Sequence, residues 1–363
     1  MKKAICCAAA LLAGVGASAA MAQSSVTVYG LIDTGLVYTN NVNAAGANAT
    51  KMPSLTGSFP SRLGFRGTED LGNGLQAVFT LEQGLSPDTG AMGQGNRLFG
   101  RQATVGLKGA FGTVTLGRQI NMTYLAGQKA DVLGPNLFAI GSIDPYLPNA
   151  RSDNAIGYLG NFNNVVIGAT YSTGRDASAA GGPAATGCPG EVAGNARACR
   201  QVTGLLGYET ADYGLNTSYD ILYGNVGAAG GLTSSDNSDK RITVNGYVKV
   251  GAAKIGAGLI ERSTRAATGL TESDLYYLGV SYPMTPLSTL DVQVARRDTR
   301  NSSSDVDMVV ARLTYYLSRR SAVYGALGRM NNSGTSAVAL DAGGTVGAGL
   351  SQNGIMAGLR HSF

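Results

Sequence analysis

Several charged side chains in the first half of the chain have the types and spacing to build an electric field. Arg62 and Arg66 stand four apart in SRLGFRG. Glu82 closes the alternating run LQAVFTLE. Arg101 and Arg118 bracket QATVGLKGAFGTVTLG, and Arg151 follows a long segment that carries Asp131 and Asp144. A guanidinium stays ionised at any working pH, and its fork is rigid. Arginines gathered on one wall repel one another unless carboxylates and water screen them. Carboxylates facing such a wall would set up a transverse field that aligns polar solutes and hinders apolar ones. Charges lining a wet lumen also set ion preference. The rival reading is that some of these arginines form static salt bridges on a wall.

The same residues give no support to catalysis. The chain has one histidine, His361, and alternation puts it on the outward face of the last strand, away from any interior Ser/His/Asp arrangement. No G-x-x-x-x-G-K-[ST] loop occurs. His and Cys are not clustered as metal ligands, and the glycines are dispersed. No enzyme, cofactor or metal is expected.

The elements that must position these charges are strands. From Ser25 a unit recurs in which about ten residues alternate between apolar and polar before a turn. Expected strands cover 26–38, 62–68, 75–82, 97–108 and 113–118. They continue at 152–160, 165–173, 202–210, 214–223, 240–251, 254–264, 272–282, 288–298, 306–317, 321–331 and 353–363. Short turns alternate with longer loops, among them 39–59, 174–201, 224–239, 265–271, 299–305 and 332–352. An even number of strands, about 16, with strict short/long alternation is the layout of an outer-membrane barrel. A soluble β-sandwich is the rival, but it predicts turns of similar length at both ends and fewer strands.

Alternation assigns faces. Arg62 and Arg66 share one face, opposite Leu63, Phe65 and Gly67, so both point inward. Glu82 shares its face with Gln76, Val78 and Thr80 and also points inward. For Arg101 alternation leaves the question open, because Ala103, Val105 and Leu107 have its parity. On the last strand Ile355, Ala357, Leu359, His361 and Phe363 form one face, apolar but for the imidazole. Tyr and Phe must supply any aromatic girdle, because the chain has no Trp.

One stretch breaks the rhythm. Residues 119–150 show no sustained period of two and carry Pro135, Pro145 and Pro148, which cannot donate to a ladder. Loops this long are usually functional or disordered. Disordered segments are poor in apolar residues, whereas this one holds Tyr124, Leu125, Val132, Leu133, Leu137, Phe138, Ile140, Ile143, Tyr146 and Leu147. It should therefore pack against something. We expect it to fold inward and narrow a channel, with Asp131 and Asp144 facing a basic wall; a surface loop lying on the exterior is the alternative. A helical turn or two is expected here and no helix elsewhere.

The first residues read as a targeting segment. Lys2 and Lys3 precede a short apolar run, and Ala20-Met21-Ala22 is an A-x-A site. Residues 1–22 are expected to be a signal peptide and 23–363 a single barrel domain. Cys6 and Cys7 precede the apolar core of the signal and are lost with it. Removing two lysines takes the formal charge from +5 to +3, too small and too evenly spread a surplus for a nucleic-acid binder. Glycine supplies 53 of 363 residues, about twice the usual share of roughly 7%, which suits twisted strands and tight turns rather than helices. No apolar run is long enough for a transmembrane helix. In an exported protein Cys188 and Cys199 read as a disulfide closing a loop; two free thiols or a metal pair are the lesser alternatives.

The blocks SSVTVYGLIDTGLVYTNN, SRLGFRGTEDLGNGLQAVFTLEQG and GRQATVGLKGAFGTVTLGRQ, with the terminal GLRHSF, resemble the trimeric general diffusion porins of Gram-negative bacteria, in the β-proteobacterial branch. The resemblance covers the whole mature chain. It implies an all-β, 16-stranded antiparallel transmembrane β-barrel whose third extracellular loop, here 119–150, folds inside. It implies that Arg62, Arg101 and Arg151 line the pore constriction, which resolves the direction of Arg101. Arg118 is a weaker candidate, near where its strand enters the loop. Phe363 matches the family's terminal aromatic assembly signal, read by the barrel-assembly machinery. The implied function is passive diffusion of ions and small hydrophilic solutes by a homotrimer among outer-membrane lipids, including lipopolysaccharide. A barrel protease or phospholipase would need a His or carboxylate cluster at the mouth. An adhesin or structural barrel would need a plugged lumen, against which the many inward Gly, Ser and Thr argue. Three arginines against two or three acids point to a mild anion preference, which loop charges at the mouth could reverse.

Overall fold

A sheet that alternates apolar and polar residues over so many strands leaves two exposed edges unless it closes on itself. The computed structural model, which describes residues 25–54, 56–176 and 186–363, shows it closed. The expected signal peptide, 1–22, lies outside the described residues.

Eighteen strands form the sheet among the described residues. Two short ones, Ala49–Lys51 and Ala91–Met92, sit within loops, and the remaining sixteen make the wall. They are β1 (Ser25–Thr39), β2 (Arg62–Gly72), β3 (Leu75–Ser86), β4 (Gln102–Gly109), β5 (Gly112–Ile120) and β6 (Arg151–Phe162). Next come β7 (Val165–Gly174), β8 (Gln201–Glu209), β9 (Tyr213–Tyr223), β10 (Ser238–Val250) and β11 (Ala253–Ala266). The last five are β12 (Gly269–Thr285), β13 (Ser288–Thr299), β14 (Val306–Tyr316), β15 (Ser321–Asn332) and β16 (Gln352–Ser362). Each wall strand pairs antiparallel with its sequence neighbours, and β16 returns to β1 from Leu31↔Ser362 to Thr39↔Gly354.

Several expected boundaries move by a few residues, two of them with consequences for the layout. The strand read as 97–108 begins only at Gln102, because left-handed residues Gln94 (φ 50°), Gly95 (φ 73°) and Asn96 (φ 64°) turn the chain just before it. The loop read as 265–271 shrinks to the tight connection between Ala266 and Gly269, where Gly269 supplies φ 124°. The polar run around it pairs as strand, with Thr264 opposite Thr271. The alternation of short and long connections therefore fails at this one position.

The two faces separate as their parity requires. On β1, Val26, Val28 and Leu36 are exposed on the outer surface, while Asp33, Val37 and Thr39 are buried inside. On β16, Ile355 and Leu359 are exposed and Met356 is buried. Phe363 seals the seam. Its backbone N–H donates to Gly30 O and its carbonyl accepts from Gly30 N, both at 3.1 Å. Its ring covers Gly30 so closely that a Cβ there would stand 2.2 Å from Phe363 Cζ; only glycine fits.

The principal apolar core lies inside the barrel. Leu133, Leu137, Phe138, Ile140 and Ile143 of the irregular stretch cluster with Val310, Met330, Leu340 and Met356. Burying each such side chain contributes about 1.5–3 kcal/mol, enough to hold a segment that no ladder supports. Within it are two short helices, α1 (Met122–Gly127) and α2 (Ile140–Ile143). Asn121 caps α1 by accepting from Thr123 N at 3.2 Å.

Cys188 and Cys199 are joined as a disulfide. It lies in the connection between β7 and β8, packed with Leu222, Ala228 and Leu232.

Candidate solute pathway: an arginine wall and an inward segment

Inward parity turns Arg62 of β2 and Glu82 of β3 into the lumen, and Arg101 joins them from the turn just before β4, although it has the parity of outward Val105 and Leu107. Glu82 lies at the centre. Arg101 Nε donates to Glu82 Oε1 at 2.6 Å, and Tyr29 Oη donates to Oε2 at 3.0 Å. Arg62 Nε stands 3.6 Å from the same Oε2, and Arg62 NH1 donates to Pro60 O at 3.1 Å. Glu82 and Arg101 are both buried. Arg66 is set apart, with its guanidinium 5.2 Å from the centre of the Tyr29 ring.

Arg151 enters from the start of β6 and is 3% exposed. Its electrostatic neighbours are Arg101, Arg118, Tyr124 and Glu82. Its one hydrogen-bond partner among the described residues is a neutral amide, Asn149 Oδ1, at 3.3 Å. Arg118, in contrast, is committed elsewhere. It bonds Asp153 and donates to Gly100 O at 2.6 Å. Arg97, which the sequence reading did not single out, reaches Asp176 at 2.8 Å and Asp153 at 3.3 Å. Among the described residues, then, Arg62, Arg101 and Arg151 have one nearby carboxylate between them, Glu82.

The acids of the inward segment are not the complement of this wall, and that expectation is corrected. Asp144 is clamped by Arg241 on β10 through Nε at 2.8 Å and NH2 at 3.1 Å. Arg241 also donates to Asp239 at 2.7 Å, and Arg262 on β11 donates to Asp239 at 2.9 Å. Burial by itself would raise the Asp144 carboxyl, but Arg241 and Arg262 hold it below its ordinary value. Asp131 accepts from Gln293 Nε2 on β13 at 2.8 Å and from Leu133 N at 3.2 Å. Burial pushes the Asp131 carboxyl up to about 6 despite these bonds. Both acids fasten the segment to the wall beside them. The reason is competition. Strands β10 to β14 place inward donors closer to these carboxylates than the arginines of β2 to β6.

Two further anchors complete the fastening. Tyr146 packs between Arg241 and Arg175, 4.3 and 4.7 Å from its ring centre, and donates to buried Asp220. Gln201 donates to Asp220 at 2.7 Å and Thr123 Oγ1 donates to it at 2.7 Å. At the tip, Ser142 Oγ donates to Leu340 O at 2.6 Å, and Arg312 donates to Leu133 O at 3.0 Å. Arg241 and Asp220 were missed from sequence, though parity could have found them. Asp239, Arg241, Thr243 and Asn245 form one polar face against Lys240, Ile242 and Val244.

Between the arginine wall and the inward segment lies an open cavity of about 610 Å³. Arg101, Ser86 and Pro60 border it on one side; Pro135, Asn136, Gly141, Pro145 and Pro148 border it on the other. The segment thus turns a neutral edge towards Arg101.

A family model described as Gram-negative porin matches residues 8–335. The chain is 33% identical to outer membrane porin protein 32 of Delftia acidovorans, with 100% of each covered. The structure resembles an anion-selective porin from Comamonas acidovorans, with a TM-score of 0.72, 27% identity, and 94% of this chain and 100% of that chain covered. It also shares its fold with a trimer form of OmpT from Vibrio cholerae, with a TM-score of 0.64 and 16% identity over 94% of this chain and 99% of that one.

Proposed function

This chain belongs to the Gram-negative porin family, and from that premise we propose that its solute preference is set where Arg62, Arg101 and Arg151 face the neutral edge of the inward segment. As an outer-membrane porin it is a channel for passive diffusion and not an enzyme. The finer reading concerns the sign of its field. The observation that carries it is the unequal pairing: three guanidiniums near one another share Glu82, while Asp131 and Asp144 are bonded to the opposite wall.

A small anion entering the cavity meets a net positive field focused between low-dielectric walls, where charge counts for more than in bulk. The guanidinium forks also match carboxylate geometry. Glu82 tempers the repulsion between Arg62 and Arg101 and holds Arg101 in place. The pore is therefore anion-preferring, and its resemblance to the anion-selective porin from Comamonas acidovorans lends support. We place the working unit as a homotrimer, as in the OmpT trimer form, surrounded by outer-membrane lipid including lipopolysaccharide. Phe363 serves as the assembly signal presented to the barrel-assembly machinery.

The test is reconstitution in planar bilayers across a potassium chloride gradient. Conductance should appear in steps of three. The zero-current potential should take the sign of chloride preference. A potential of the opposite sign would reject the arginine-controlled reading while leaving the porin assignment intact.

A further inference from the structure

We propose that the turn between β14 and β15 and the outer wall beside it form a docking site for an anionic phospholipid of the periplasmic leaflet. Arg319 and Arg320 take its phosphate, and a shallow dent in β15 and β16 takes an acyl chain. The inference rests on the porin assignment alone and is independent of the reading of the lumen.

In a barrel of this kind the short turns lie at the periplasmic end and the longer loops outside. Among the described residues, the turn Leu317-Ser318-Arg319-Arg320 is the only one at that end with a Lys or Arg between its two strands. Lys108, Lys249 and Lys254 also lie near strand ends on this side, but alternation gives them the parity of the lumen.

The turn is fixed by its own bonds. Ser318 Oγ accepts from Arg320 N at 3.1 Å and from Ser321 N at 3.0 Å. Arg320 O accepts from Ser362 N at 2.8 Å, and His361 Nδ1 lies 2.9 Å from Ser321 Oγ. These contacts seat the turn against the end of β16, with Arg319, Arg320 and His361 exposed. Neither guanidinium has a hydrogen-bond or ion-pair partner among the described residues, the terminal carboxylate of Phe363 included. At the loop end of the neighbouring strands the pattern differs: Arg296 is bonded to Asp305 and Asp307, and Arg300 to Asp274. Two unopposed guanidiniums at a membrane surface favour an anion, and their forks match phosphate oxygens. Each basic residue there strengthens binding of an anionic headgroup about fivefold.

Next to the turn the outer face is hydrocarbon. Tyr315, Leu317, Val323 and Leu359 are exposed, with Tyr315 opposite Val323 and Val323 opposite Leu359. Two residues further from the turn the side chains shrink. Gly325 stands opposite Ala357, and the pair is flanked by Leu313 on one side and Leu36 on the other. A Cβ at Gly325 would meet nothing nearer than Met356 O at 3.9 Å. Gly325 and Ala357 therefore floor a dent that is open to the membrane.

Length selects the leaflet. From Ser321 to Gly325 the strand advances about 13 Å at roughly 3.3 Å per residue. Half of an apolar band about 25 Å tall is as deep. The site thus spans the periplasmic leaflet and no more, which suits a phospholipid of that leaflet rather than a lipopolysaccharide of the other.

The experiment uses the full-length trimer in detergent and native mass spectrometry. It counts the lipid retained per trimer after mixing with dioleoyl phosphatidylglycerol or dioleoyl phosphatidylethanolamine, which share their acyl chains and differ in headgroup charge. The wild type should retain phosphatidylglycerol at least about fivefold more strongly. In the double variant Arg319→Gln/Arg320→Gln the two lipids should be retained alike. Gly325→Leu fills the dent and leaves the arginines, so it should weaken both. Glycerol phosphate, a headgroup without tails, should not displace phosphatidylglycerol at equal concentration. Both variants should keep the wild-type ion preference in bilayers, which checks their folding, because neither alters a side chain of the lumen.

Equal retention of the two lipids by the wild type would overturn the site. So would a preference for phosphatidylglycerol that survives loss of both arginines. Retention untouched by Gly325→Leu would remove the acyl chain from the dent. Displacement by glycerol phosphate would assign the turn to a soluble anion. A double variant that separates into monomers, each with its lipid preference intact, would assign the patch to a neighbouring subunit instead.

Discussion

The two inner walls of this barrel use the same residue types to opposite ends. On β10 to β14 arginines and acids are matched: Asp144 with Arg241, Asp239 with Arg241 and Arg262, and Asp291 with Arg312, while Asp131 is held by the neutral amide of Gln293. On β2 to β6 the match is partial: Arg118 pairs with Asp153, but Arg62, Arg101 and Arg151 share Glu82. Matched charges cancel one another's field and hold the segment in register. Under-matched charges keep their field and leave it to the passing solute. A buried ion pair adds little net stability compared with apolar packing, so the matched wall fixes position while Phe138, Leu133 and their neighbours supply adhesion.

The strongest way to break this contrast is to unmatch the matched wall. Arg241→Ala strips Asp144 of its clamp, and removing one partner of a buried pair costs about 3–5 kcal/mol. We expect noisier single-channel currents and a lower denaturation temperature. Quiet channels that denature at the wild-type temperature would show that apolar packing alone holds the segment.

Next in size is Arg101→Ser, which removes a fixed cation and a bulky side chain from the unmatched wall. Conductance should rise and the zero-current potential should move towards cations. The shift should grow at low salt, because the screening length rises from about 10 Å at 0.1 M to about 30 Å at 0.01 M. Asp144→Asn sharpens the comparison. If that acid faced the arginines, its loss would move the potential as far as Arg101→Ser does in the other direction; here it should move it less. Arg360→Ser, at the far end of β16, should likewise shift it less.

A smaller effect comes with pH. Because the Asp131 carboxyl is raised to about 6, the fold favours its protonated form, and the ionised form is a cost above that pH. As pH falls through 6 towards the ordinary carboxylate range the cost is relieved, so this group's contribution to stability improves. The lumen also loses one negative charge. Chloride preference should therefore increase modestly between pH 7.5 and 5, and Asp131→Asn should remove that step.

The smallest effect belongs to the disulfide. Cys188 and Cys199 are 11 apart in sequence, in a connection outside the wall. Replacing both with serine should loosen that loop, seen as faster proteolysis, with little change in barrel denaturation. A large drop would mean that the loop braces the barrel.

Much of this was written in alternation. Period two placed nearly every strand within a few residues, because a wall with one wet and one apolar face must repeat at that spacing. It turned Arg62, Arg66 and Glu82 inward for the same reason. It gave no answer for Arg101, whose strand carries small and apolar residues on both faces, and it misread 265–271, where polar residues pair as strand. The long apolar segment announced by its composition that it must pack, yet nothing in it named its partners.

What the sequence determined alone, then, was the barrel, its two faces and the presence of a segment that had to be buried. Local patterning sufficed, since each is a property of neighbours in the chain. What only the tertiary structure decided was which charge meets which. Asp144 meets Arg241 across 97 positions and Asp131 meets Gln293 across 162. The path of the inward segment sets those distances, and whether an arginine is cancelled or left with its field depends on a few ångströms that no spacing along the chain contains.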